Sequence, residues 1–173
     1  MQPTTKKVII METKDMNFLG IIGLIGALLM VIGVFLTWGS YDTFLGTVNL
    51  SGMDFFNKVD GVYSGTKYTW VPLVSLLCGI ISILLMILPT FMNGDNLKQI
   101  NNILGIVALV FSLLVIIFGI LFITQSFENA YVTVKFGDVY KTGIGFWLTL
   151  IGAIITFIGG IMPILKNKGI INI

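Results

Sequence analysis

The sequence predicts an all-α membrane protein, a four-transmembrane-helix bundle with a small antiparallel β-sheet formed by its two extracytoplasmic loops. Three observations carry that prediction: four uncharged apolar blocks, a composition outside the soluble range, and alternating patterns in the two longer connections. The blocks at 18–38, 71–92, 103–125 and 144–165 contain no Lys, Arg, Asp, Glu or His. At about 1.5 Å of rise per residue, each spans about 30 Å as a helix, the thickness of a bilayer's hydrocarbon core. Of 173 residues, 56% are hydrophobic and only 10% charged. The mean hydropathy is +1.00. Such values leave no room for a separate soluble domain.

The first block follows Lys6, Lys7 and Lys14 as a signal core follows its basic region, but its apolar stretch is too long and ends in Leu36-Thr37-Trp38-Gly39 rather than at a cleavage site. It reads as a retained signal anchor, with Met11 an alternative start. Pro72 opens the second block, where a missing N–H costs nothing. Pro89 and Pro163 fall near the ends of their spans and read as helix terminators rather than hinges.

Lysine placement sets orientation. With both termini cytoplasmic, the inner segments carry Lys6, Lys7, Lys14, Lys98, Lys166 and Lys168, and the outer ones Lys58, Lys67, Lys135 and Lys141. The inner density is about twice the outer, as the positive-inside rule requires. Trp38, Trp70 and Trp147 fall at the outer ends of the spans, where indole rings sit at headgroup level.

The outer loops, 39–70 and 126–143, carry strand signals. Thr43-Phe44-Leu45-Gly46-Thr47-Val48-Asn49-Leu50 alternates in places, and Tyr131 to Phe136 precedes Gly137-Asp138 and then Val139-Tyr140-Lys141, which reads as a hairpin with a two-residue turn. An isolated hairpin is marginal, so the two loops are expected to pair into one sheet. Asn49-Leu50-Ser51 is a glycosylation sequon, a triplet expected by chance about once in a chain of this composition.

Small residues recur every seven positions: Gly26 and Gly33; Ser75 and Ser82; Gly105, Ser112 and Gly119; Gly145, Gly152 and Gly159. Seven residues is two helical turns, so each series forms one stripe on which helix backbones approach closely. A second register, Ser75 to Gly79 and Gly152 to Thr156 to Gly160, runs at spacing four.

Chemistry is limited by what is missing. Without His there are no paired haem ligands of the usual kind, and with Cys78 as the only cysteine there is no dithiol pair. No carboxylate lies within a span to carry protons. The loop carboxylates Asp42, Asp54, Asp60, Glu128 and Asp138 lack metal-loop spacing, and a chain without Arg is a poor nucleic-acid reader. The expectation is a non-enzymatic protein without cofactor or metal. Its partners would be the bilayer and a membrane protein or a second copy, with Asp54, Phe55, Phe56 and Tyr63 as candidate contact residues; the competing reading of the aromatic three is that they pack the small sheet onto the helix ends. The rival expectation is an oligomeric channel whose uncharged pore is lined by Thr37, Ser112, Thr124 and Thr149.

Four spans, a long strand-bearing first loop and a shorter second loop resemble the claudin-type tetraspan outline. Claudins carry a Gly-Leu-Trp element and a cysteine pair in the first loop; this chain has Trp38 but neither of those. Phe35-Leu36-Thr37-Trp38, Ser51-Gly52-Met53-Asp54 and Gly143-Ile144-Gly145-Phe146-Trp147-Leu148 resemble small four-span proteins of bacteria and archaea with no assigned activity. The resemblance implies an architecture and no particular activity.

Overall fold

The computed structural model describes residues 18–60, 62, 65–91, 98–128 and 133–167. The leader with Lys6, Lys7, Lys14 and Met11, the inner turn around Asn96, and Tyr63 lie outside the described residues. Four apolar helices dominate: α1 (Phe18–Phe35), α3 (Val71–Phe91), α4 (Lys98–Thr124) and α6 (Ile144–Asn167). Three of them, α3, α4 and α6, are long and apolar enough to cross a membrane, and α1 adds a shorter apolar helix over Gly20–Phe35. The chain is thus a mostly helical, multi-pass membrane protein with a small antiparallel sheet.

The helices form a ring in which α1 packs on α3 and α6, and α4 packs on the same two from the opposite side. Large branched residues face outward, among them Ile25, Ile32, Leu84, Ile106, Ile117, Ile151 and Ile154, while Gly, Ala, Ser and Thr face inward. That arrangement reverses the soluble pattern and suits lipid, where close backbone contact rather than apolar burial holds helices together.

All ten positions of the sevenfold series are buried. The tightest seam is α1 against α6. A Cβ on Gly26 would lie 2.7 Å from the Gly152 carbonyl, and one on Gly152 would lie 2.6 Å from the Gly26 carbonyl. Gly33 and Gly145 meet in the same reciprocal way, and Gly159 meets Gly23. Gly160 faces Gly105 of α4, and Gly79 faces Val31 and Met30 of α1. Both spacings are therefore occupied inside this one chain. Most hydroxyls on these faces bond to their own helices, Ser75 to Val71 O at 2.9 Å, Ser112 to Leu109 O at 2.8 Å, Thr149 to Gly145 O and Thr156 to Gly152 O, each at 2.9 Å, while the buried Ser82 hydroxyl has no partner among the described residues. A hydroxyl that donates to the preceding turn is satisfied without water.

The first long loop folds as β1 (Thr37–Thr43), β2 (Gly46–Ser51) and the short helix α2 (Gly52–Asn57). The second gives β3 (Ser126–Glu128), β4 (Thr133–Lys135), a single turn α5 (Phe136–Val139) and β5 (Lys141–Thr142). The sheet order is β2-β1-β5, with Gly39 opposite Thr142 and Ser40 opposite Lys141, so the two loops share it. The strands β3 and β4 pair separately.

Two expectations are corrected here. Trp38 does not present its indole to lipid headgroups: it is the second residue of β1, buried, with its Nε1 donating to Gly33 O at 3.0 Å across the end of α1. Gly137-Asp138 is not a hairpin turn. Those residues belong to α5, where Asp138 Oδ2 accepts the Lys135 N–H at 3.0 Å and Phe136 is buried. Burying Phe136 outweighs the local turn preference of Gly-Asp. The true hairpin turn is Phe44-Leu45, between β1 and β2. Gly46 follows it at φ +133°, a conformation that glycine alone adopts readily.

Candidate functional site

The most elaborated part of the molecule is the loop end of the bundle, where an aromatic cluster closes the ring of helices. Trp38 stands edge-on to Phe122 of α4 and Phe146 of α6, with centroids at 5.2 and 5.5 Å. Phe55 of α2 stands edge-on to Phe122 at 5.2 Å and to Tyr140 at 5.3 Å. Phe136 completes the group against Phe122 at 5.1 Å and Tyr140 at 5.2 Å. Offset and edge-to-face pairs of this kind favour one fixed arrangement of rings.

Polar groups lock the cluster from above. Gln125, buried at the end of α4, accepts the Lys67 and Tyr68 N–H groups on its Oε1 at 3.1 and 3.4 Å. Its Nε2 donates to Phe122 O at 2.8 Å, and its main-chain carbonyl accepts the Phe136 N–H at 3.0 Å. One side chain thus joins α4 to the stretch before α3, and its backbone joins α4 to α5. Beneath the cluster, a crevice lined by Trp38, Ser75, Val115, Gly119, Phe146, Thr149 and Leu150 does not accept a water-sized sphere.

The expected contact residues divide. Phe55 is fully buried and packs the small sheet onto the helix ends, so its ring is not offered to a partner. Asp54 serves α2 as a capping box: its Oδ2 accepts the Ser51 N–H at 2.7 Å and the Ser51 hydroxyl at 2.8 Å. Phe56 is half-buried and Asn49 exposed, while Tyr63 lies outside the described residues.

Sequence reasoning missed the most exposed apolar pair. Phe44 and Leu45, at the hairpin tip, are 96% and 84% exposed. Asp42, Thr43, Gly46 and Thr47 around them are exposed too, so the tip projects as a finger from the aromatic cluster. Gly46, read as a turn residue, would have located it. At the finger's base, Lys141 Nζ donates to Asp42 Oδ2 at 2.7 Å and Thr47 Oγ1 to Asp42 Oδ1 at 2.8 Å. These bonds hold the Asp42 carboxyl below the usual carboxylate range. Because both charges are well exposed, the pair orients β5 against β1 more than it stabilises them.

At the loop end of the helices, Trp70 packs edge-on against Phe118 at 5.0 Å, and Trp147 is half-exposed beside Phe146. Among the described residues, no group of three His, Cys, Asp or Glu could hold a metal ion. The chain matches no protein-family model, no curated protein and no solved structure.

Proposed function

We propose that this is a tetraspan protein in which α1, α3, α4 and α6 all cross the bilayer with both termini cytoplasmic, and that it acts through protein contacts at its outer, loop-bearing end. In this reading it is an assembly factor or accessory subunit, not an enzyme. The claudin resemblance enters only as an outline of spans and strands.

Support for the fourth span comes from α1 lying along α6 with backbones nearly touching, which keeps it at the depth of its neighbours. One observation carries the contact reading: a tightly closed, charge-free interior beneath a rigid cap that holds Phe44 and Leu45 in the open. Aromatic side chains such as that of Phe44 are enriched at protein interfaces. The channel reading draws less support, because Ser112, Thr124 and Thr149 donate to carbonyls of their own helices rather than line a common passage.

The test is purification in mild detergent of the wild type and a Phe44→Ser/Leu45→Ser variant, with co-purifying chains identified. The expected result is a stoichiometric partner that the variant loses at unchanged melting temperature. Equal recovery from both proteins would contradict the proposal. So would selective solute flux through reconstituted protein that survives the tip change.

A further inference from the structure

The sheet ends in an open edge. Its order is β2-β1-β5, so one side of β2 has no strand beside it among the described residues. The direction of the main-chain groups on that side follows from the cap of α2. The Ser51 N–H leaves the sheet to reach Asp54 Oδ2. Main-chain groups alternate along a strand, so those of Thr47 and Asn49 point off the same edge. Thr47 and Asp42 lie opposite each other with a side-chain hydrogen bond between them, as the closely spaced pair of that alternation permits.

Natural sheets guard an open edge with Lys, Pro, a bulge or a covering element. The segment Gly46-Thr47-Val48-Asn49-Leu50-Ser51 has no charge and no proline, and its register against β1 is regular from Leu50 to Gly46. An unguarded edge of this kind is a template for another strand.

We propose that β2 pairs antiparallel with β2 of a second copy, Thr47 opposite Asn49 of the partner and Val48 opposite Val48. The sheet then runs without a break from β5 of one copy to β5 of the other. In this register the outward groups of Thr47 and Asn49 make about four main-chain hydrogen bonds and the Ser51 N–H keeps its bond to Asp54. The pairing is self-complementary, as a two-fold interface must be. It carries Phe44 and Leu45 of each copy, the two most exposed large hydrophobic residues described, to the level of Gly52 and Ser51 of the other, next to Met53 and Phe56, which are half-exposed. The pairing rests on the strand edge and not on the partner reading above, so either can fail alone.

The test uses the full chain in a Cys78→Ala background. In the proposed register the two Val48 Cα atoms stand about 4.5 Å apart, within disulfide range. Val48→Cys should therefore oxidise to a covalent dimer in membranes, while Gly137→Cys, on α5, should not. Asn49→Pro removes the outward N–H and none of the β1–β2 hydrogen bonds, a change tolerated on a strand edge. It should leave the melting temperature within a few degrees, abolish the Val48→Cys dimer, and turn a dimeric particle in detergent into a monomeric one. A monomeric wild type without cross-linking, equal linking at Gly137→Cys, or a dimer that survives Asn49→Pro would overturn the proposal.

Discussion

Gln125 holds more of the loop end together than any other polar side chain described. It is buried, it bonds to the main chain of Lys67 and Tyr68, and it locks the aromatic cluster from above. Replacing it by Leu preserves approximate volume but strips two main-chain N–H groups of their acceptor, at a cost of about 1 to 3 kcal/mol. Gln125→Leu should lower the melting temperature in detergent and speed amide exchange at Lys67 and Tyr68 selectively, read by hydrogen–deuterium exchange. No change at those two amides would mean that the bonds are dispensable. Nothing in the sequence marked Gln125, because a glutamine at the end of an apolar block reads as an ordinary polar boundary. For Phe55 the sequence left two readings open: whether an aromatic residue in a loop packs inward or is offered to a partner depends on Phe122 and Tyr140, which are distant in the chain.

At the scale of elements, the helices were the legible part. Their cores follow from uncharged apolar runs, and the observed bounds differ from the blocks mainly where β1 takes over the last residues of the first and α4 starts five residues before the third. The loops were less legible because tertiary burial decides them. Phe136 enters the aromatic cluster and converts an apparent hairpin turn into a helical one, while Gly46 places the real turn at Phe44-Leu45. The α1–α6 seam gives the sharpest packing expectation. Gly152 has the Gly26 carbonyl and the Met30 N each 2.6 Å from where a Cβ would stand, whereas Ile154 is exposed on the outer face. Gly152→Leu should therefore cost upwards of about 3 kcal/mol, the top of the usual range for overpacking, and Ile154→Leu close to nothing. Thermal melts of the two variants in one detergent compare them directly; similar melting temperatures would place the seam elsewhere.

For the molecule as a whole, the account makes the membrane a scaffold and the loop end the working surface. The four apolar blocks hold no ionisable side chain besides Cys78, and small residues of both spacings are spent within the chain, which leaves the outward faces of the helices to lipid. That division is meaningful only if both loops emerge on the same outer side, and lysine bias is the sole sequence signal for it. The measurement that tests this most directly is labelling of intact cells with a membrane-impermeant thiol reagent, using single cysteines at Lys58, Lys135, Asn96 and Asn167 in a Cys78→Ala background. The account predicts reaction at Lys58→Cys and Lys135→Cys, and at Asn96→Cys and Asn167→Cys only after the cells are opened. Labelling of Asn96→Cys on intact cells, or of only one of the two loop positions, would contradict it.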